Sequence, residues 1–466
     1  MAKDFIVAIE LGSSKITGIA GKKNPDGSIT VLSVAKEDSK ACMRKGVVYN
    51  IDKTAQALTN IINKLKGSLQ TDIARVYVGV GGQSLKGVKN VVVKDLPADS
   101  IVTQDIVNEL MDTNRNMKNN DYEVLDAITQ EYKVDMLDEL NPVGVQACHI
   151  EGNFLNLLWR KTFNRSLNKC FDNAGIPIVE MYVTPLAMAE EILTEAEKCA
   201  GCMLVDLGAD TTTVAIYTRD ILRHLFVLPL GSNNITKDLT ALKMEEREAE
   251  AMKLKYASAY TEVADIDDSM VWAIDNNRSV NSRLFIDVVE ARVLEIIANV
   301  WYLVPTEYTD KLLGGIILTG GGSNLKNIDE AFRRHTHIAK SLPLNILPET
   351  AKISIPHDGT MNGVISILLK GDMNCAGNDL NRTLFDDDPT VDSAAGAAQN
   401  AQQGTNHQDT TPNANTQNAT PDDPADEDED DTEEDSSKGG KPRKNIFGKA
   451  ANFLKKFGNA IIEEEK

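Results

Sequence analysis

One pattern occurs twice in this chain and limits its fold more than any other feature: an apolar strand-like run, an acid, one apolar residue, a glycine, several hydroxyls and a second apolar run. In residues 203–217 the acid is Asp206 and the turn holds Gly208, Ala209, Asp210, Thr211 and Thr212; in residues 6–17 the acid is Glu10 and the turn holds Gly12, Ser13, Ser14 and Lys15. Each copy reads as a buried hairpin with a polar tip. An acid at a strand end, a glycine that lets backbone approach, and clustered hydroxyls suit a phosphate and its metal ion. Two copies about 200 residues apart predict a duplicated α/β domain with a phosphate held between the halves.

A chain of 466 residues that is 42 % hydrophobic can bury more than one core. No run of 18 or more apolar residues occurs, so neither a transmembrane helix nor a secretory signal is expected. The closest cysteines, Cys199 and Cys202, lead into an apolar strand and read as reduced core packing in a cytosolic protein. Net charge is −20, yet 16 acids and no Lys or Arg fall between Asp386 and Ser437. The rest of the chain is close to neutral, and nucleic-acid binding has no basic face to use.

Along the chain, a meander over residues 5–35 turns at Asn24-Pro25-Asp26-Gly27 and is followed by a helix capped by Asp52, with Ala55, Leu58, Ile61, Ile62 and Leu65 as its buried stripe. A strand at 76–82 ends in glycines. Residues 84–165 change pattern: strand 89–94, helix 104–117, and strands near 127–134 and 145–158, with no glycine-acid-hydroxyl turn. This inserted segment is either surface decoration or a contact module. The main fold resumes with helix 165–174, strand 178–182 and a helix from Pro185 towards Ala196, placed as a hinge. Beyond the second hairpin, Glu250 and Lys253 share a helix face, either as a surface ion pair or as groups for a ribose. A long helix at 281–302 carries Arg283 and Arg292. A buried strand then empties into Gly320-Gly321-Gly322-Ser323, which is a plain turn or a place where backbone meets a base or phosphate.

From residue 376 to 440 the composition is Ala, Asn, Gln, Thr, Pro and Asp, and reads as a disordered acidic tether. A basic amphipathic helix is expected at 441–466. Ile446, Phe447, Phe453, Leu454, Phe457 and Ile461 form its apolar side, with Lys449, Lys455 and Lys456 across from or flanking it. Such a helix packs on its own domain, fills a partner groove or lies on an anionic bilayer.

Together these residues resemble the actin and Hsp70 superfamily. Glu10-Leu11-Gly12-Ser13 is similar to its first phosphate motif, Asp206-Leu207-Gly208 with Thr211-Thr212 to its second, and Thr319 to Ser323 to its adenosine motif. Asn141-Pro142-Val143-Gly144 in the insertion, Leu193-Thr194-Glu195 and the tethered terminal helix resemble the FtsA family of bacterial division proteins. The resemblance implies an actin-like duplicated ATPase fold, two halves around a nucleotide cleft, with an inserted accessory subdomain, a disordered acidic linker and a C-terminal amphipathic helix. The implied divisions are 1–83 and 166–198 for the first half, 84–165 for the insertion, 199–375 for the second half with its return helix, 376–440 for the linker and 441–466 for the membrane-targeting helix.

By the same resemblance Gly12, Ser13, Ser14, Lys15, Gly208, Thr211 and Thr212 hold the phosphates of ATP. Asp206, and Glu10 through water, order Mg2+, while Glu250, Lys253 and Gly320 to Ser323 take the adenosine. Implied partners are the FtsZ C-terminal tail, met by Arg283 or Arg292, further copies of the chain, anionic lipids and other division proteins, at the division site on the cytoplasmic face of the inner membrane. Departures at Glu10, Asp210 and Thr184 imply slow hydrolysis at most, an acid at 210 being unfavourable beside polyphosphate unless a cation intervenes. The alternative is a soluble ATP-dependent kinase of the same superfamily.

Overall fold

The two hairpins occupy matching places in two five-stranded sheets. The computed structural model describes residues 4–344, 346 and 355–377. The acidic segment from residue 378 and the terminal helix, with all nine residues assigned to the membrane, lie outside the described residues.

In the first half, β1 (Ile6–Leu11), β2 (Lys15–Lys23) and β3 (Ile29–Asp38) form an antiparallel meander. Its second turn closes as expected, with the Gly27 N–H donating to the Asn24 carbonyl at 3.0 Å. A two-residue ladder, β4 (Met43–Arg44) with β5 (Val47–Val48), precedes α1 (Ile51–Leu69). The cap of α1 is Asn50, whose side chain accepts from the Lys53 N–H at 2.9 Å, and not Asp52. Asp52 stands in the first turn, where its charge meets the helix dipole. All five expected stripe residues of α1 are buried.

β6 (Val76–Val80) runs parallel to β1. The insertion follows as β7 (Lys86–Ile101), α2 (Gln104–Arg115), β8 (Tyr122–Val134), β9 (Leu137–Glu139) and β10 (Gln146–Arg160), in sheet order β7-β10-β8-β9. It has a small core of its own, where Leu110 of α2 meets Tyr132, Ile150 and Phe154. Then α3 (Lys161–Ala174) and β11 (Ile178–Val183) complete the first sheet, in order β11-β6-β1-β2-β3. The helix expected to reach 196 is broken: α4 (Thr184–Ile192) stops and α5 (Glu195–Ala200) begins. Thr194 causes the break. Its hydroxyl accepts from the Glu197 N–H and its own N–H donates to the Glu197 carboxylate at 2.9 Å, a reciprocal cap that starts a new helix.

The second half repeats the plan. β12 (Cys202–Leu207), β13 (Thr212–Thr218) and β14 (Ile221–Leu228) form its meander. An insertion of α6 (Ser232–Thr240), α7 (Glu246–Tyr256), β15 (Val271–Ala273) and β16 (Ser279–Asn281) leads into α8 (Ser282–Leu303), capped by Asn281. After α9 (Thr306–Thr309) come β17 (Gly315–Thr319), α10 (Ile328–Thr336), β18 (Ser341–Pro343) and α11 (Asn362–Lys370). The sheet order β14-β13-β12-β17-β18 matches the first sheet strand for strand.

Strand alternation sends successive residues to opposite cores. On β12, Met203, Val205 and Leu207 join α8 and α10, while Cys202 and Leu204 face α4 and the insertion. Both cysteines are free thiols, but only Cys202 is buried as core packing requires; Cys199, on α5, is exposed. The halves are laced by an exchange of helices. α4 follows the first sheet but packs against the second, and α11 follows the second but buries Val364, Ile365, Ile367 and Leu368 in the first. Full burial of such side chains is worth about 1.5–3 kcal/mol each, so α11 is integral to the first core.

Candidate functional site

Both hairpin tips open into one cleft of about 870 Å³. Their turns close in the same way: the Gly12 N–H donates to Lys15 O at 3.1 Å and the Gly208 N–H donates to Thr211 O at 2.9 Å. A Cβ at either glycine would lie 2.7 Å from that same carbonyl, so no other residue fits the turn. The backbone is thereby bared to the cleft at two facing points.

The acids are equivalent by register. Glu10 lies opposite Thr17, and Asp206 lies opposite Thr213. Glu10 has its carboxyl pushed up to about 7, first by burial and then by the charge of Asp206, against the opposing pull of Lys15 and the Val364 N–H. Burial raises Asp206 to about 6. Two facing carboxyls that resist ionising together fit a divalent cation, whose charge removes both penalties.

The longer side chain of Glu10 has a structural use. It reaches the N-terminus of α11, where it accepts from the Val364 N–H and where a Cβ on Gly363 would lie 2.1 Å from Oε1. Asp206 is seated against Gly320, whose φ of +82° and 2.3 Å Cβ approach to Oδ1 both require glycine.

Ser13, Ser14, Lys15 and Thr211 line the cleft, as do Glu250, Lys253, Gly320, Gly321 and Gly322. Thr212 does not: alternation on β13 turns it away, and its hydroxyl donates to Leu230 O at 2.9 Å. Thr213 takes that place, with Thr17 as its counterpart. Ser323 is likewise turned inward, donating to Gly320 O at 2.7 Å within its own turn. Asp210, the acid expected to trouble a polyphosphate, is held by Asn233 Nδ2 at 2.7 Å and is not among the lining residues.

Lys253 is buried and meets three acceptors, Glu250 Oε2 at 2.7 Å, Thr236 Oγ1 at 2.9 Å and Ser232 O at 3.2 Å. Three acceptors use the three N–H bonds of an ammonium, so Lys253 positions Glu250, whose other oxygen is left to accept from a hydroxyl. Tyr256 and Trp272 also line this end, their rings stacked at 4.5 Å and 7°. Sequence reasoning missed both because neither belongs to a motif. Across the cleft mouth Lys40 of the first half pairs with Glu246 of the second at 2.7 Å.

The two arginines expected at a partner surface differ. Arg292 is committed to Asp238 of α6 through Nε at 2.5 Å and a second N–H at 2.9 Å, and also meets Glu295, so it ties α8 to α6. Arg283 is more exposed and pairs with Asp287 one turn along at 3.1 Å. No helix among the described residues is long and apolar enough to cross a membrane.

Comparison with known proteins bears on both parts of the chain. Residues 203–365 match the family described as cell division protein FtsA, and residues 82–158 match the SHS2 domain inserted in FtsA. Cell division protein FtsA of Porphyromonas gingivalis is 32 % identical over 333 residues, covering 70 % of each chain. That of Escherichia coli K12 is 24 % identical over 378 residues, covering 78 % of this chain and 90 % of the relative. Among solved structures, the PilM–PilN type IV pilus biogenesis complex shares the fold, with a TM-score of 0.55 and 13 % identity over 78 % of this chain and 98 % of that one. With the actin-like duplicated sheets, the inserted module and these relatives taken together, the chain belongs to the FtsA family of cell-division proteins.

Proposed function

We propose that the protein binds ATP with Mg2+ in this cleft, assembles with further copies of itself, and holds the FtsZ ring to the cytoplasmic face of the inner membrane at the division site, where it helps to recruit other division proteins. The observation that carries the nucleotide reading is the pair of matching turns at Gly12 and Gly208, facing one cleft with Glu10 and Asp206 at its floor. In this reading Ser13, Ser14, Lys15, Thr211 and Thr213 hold the phosphates, Asp206 and Glu10 hold the cation through its waters, and Glu250 accepts from a ribose hydroxyl. Gly320 to Gly322 bring bare backbone to the adenosine. The cation, when bound, neutralises polyphosphate charge. Lys15 adds a positive charge at the first turn, and Lys253 keeps Glu250 in place.

Catalysis is slow or absent. Thr184 opens α4 with neither carboxylate nor amide to orient a water, and Asp210 is occupied by Asn233. Calorimetry with Mg-ATP and a steady-state assay test this together. Binding with turnover below about one per second is expected, and turnover in the ordinary enzyme range rejects the slow-hydrolysis reading.

The divisions expected at 83, 165, 198, 375 and 440 are proposed as the working boundaries of the two halves, the insertion, the linker and the membrane helix. Arg283, rather than Arg292, is proposed to meet an acid of the FtsZ tail. The terminal helix is proposed to lie on anionic lipid, through the apolar and basic residues named from the sequence.

A further inference from the structure

We propose that the inserted module, although spliced into the first half of the chain, moves as one body with the second half, so that opening and closing of the cleft changes its position relative to the first half. That nucleotide drives this motion rests on the function proposed above; which body the module follows does not.

The packing is lopsided. Leu155 and Leu157 of β10 are fully buried in a core shared with Leu204, Ala215, Leu222 and Leu225 of the second sheet. The module therefore serves as a layer of the second half, covering the face that α4 leaves open. A polar seam fixes it there. Buried Gln130 donates to Leu222 O at 2.7 Å, Arg223 reaches back to Gln130 O at 3.5 Å and Glu131 at 3.4 Å, and Lys89 pairs with Glu307 at 2.9 Å. Gly87 lies so close to β14 that a Cβ would sit 2.9 Å from Leu225 O.

Against the first half the module has two covalent connections, between β6 and β7 and between β10 and α3, and its other contacts gather beside the second: Trp159 packs on Phe163, Glu123 accepts from Asn164, and Lys161 donates to the carbonyls of Asn119, Asn120 and Asp121. Sliding along the second sheet would bare that apolar layer and strand the buried amide of Gln130, whereas bending at the two chain crossings disturbs the more exposed polar contacts gathered beside the second. Further along β8 the module ends in an exposed apolar turn, Met136, Leu137 and Leu140. A partner bound at that turn would sense the state of the cleft.

The native cysteines supply the test, since Cys148 on the module and Cys199 on the second half are exposed and the other four are buried. Spin labels on these two in the full chain report one distance. Labels on Cys148 and on Gln56→Cys of α1, in a Cys199→Ser background, report the other. Two perturbations are applied: Mg-ATP, and Lys40→Glu, which sets two carboxylates face to face at the cleft mouth without any nucleotide. The expected result is an unchanged Cys148–Cys199 distance and a Cys148–Gln56→Cys distance whose mean shifts by more than its own width. Arg223→Ala should broaden the first distribution. A first distance that shifts while the second holds overturns the proposal, as does a second distance that holds under both perturbations. A chain that fails to bind Mg-ATP in calorimetry yet shifts with Lys40→Glu rejects the nucleotide reading and upholds the module assignment.

Discussion

Glu10 and Asp206 link protonation to folding in a direction opposite to that of ordinary surface acids. A carboxyl whose value is raised on folding binds its proton more tightly in the folded chain, so stability falls as pH rises from the usual carboxyl range through about 6 and 7. Without a divalent cation, the loss across that window is on the order of a few kcal/mol. Glu10→Gln removes one charge and relieves its neighbour. Thermal melts in chelator at pH 5 and pH 8 should therefore show a clear fall for wild type and a much flatter response for the variant; equal slopes would contradict the assignment. The acids themselves were legible in the sequence because strand, acid and glycine recur at fixed spacing. Strand alternation, applied to 211–213, would also have chosen Thr213 over Thr212. The inward turn of Ser323 was not legible, since a serine after three glycines reads the same whether its hydroxyl faces the cleft or its own loop.

At the scale of elements, α8 carries two arginines with different work. Arg292 is half-buried against Asp238 of α6, and Arg292→Ala leaves that carboxylate without its bidentate partner, at a cost of about 1–3 kcal/mol. Arg283→Ala breaks two more exposed pairs, with Asp287 one helical turn along and with Asp268 at 3.7 Å, and should leave the denaturation midpoint almost unchanged while weakening binding of an FtsZ tail peptide. Chemical denaturation and peptide titration on the two variants separate the roles. A drop in stability for Arg283→Ala, or none for Arg292→Ala, would reverse them. The helices and strands of both halves were readable from apolar period and turn chemistry, and most ends fell within a few residues of their expected places. What periodicity could not show was partnership: Asn50 replaces Asp52 as the cap, Thr194 divides one expected helix into two, and α4 and α11 each pack on the other half's sheet. The two caps are local contacts three residues long, which a reading of apolar period passes over, while the packing of α4 and α11 depends on neighbours distant in sequence, which a local pattern does not contain.

For the whole molecule, the proposed attachment to membrane would be a matter of summed weak contacts. Partial burial of three Phe, two Ile and one Leu gives several kcal/mol at about 25 cal/mol per Å², and each nearby Lys or Arg adds about 1 kcal/mol on anionic lipid. In that proposal, folding the helix and confining its tether would offset part of this, so one copy would bind reversibly and an assembly of copies firmly. Phe447→Glu with Phe457→Glu should abolish sedimentation with anionic liposomes while Mg-ATP affinity is retained; a double variant that still pellets like wild type places the lipid contact elsewhere. The exchange of α4 and α11 also bears on how the chain is made. Synthesis runs from residue 1 onward, yet one face of the first sheet is not covered until α11 has been translated, and the Cys375 N–H then donates to Phe5 O at 2.8 Å. The earliest strands, met early by α1 and α3, must therefore wait with some apolar surface uncovered for the last described helix. A messenger cut short before the codons for α11 leaves the core of the second half intact and the first sheet bare on one face, and the cell's quality control meets such a fragment as a half-finished chain.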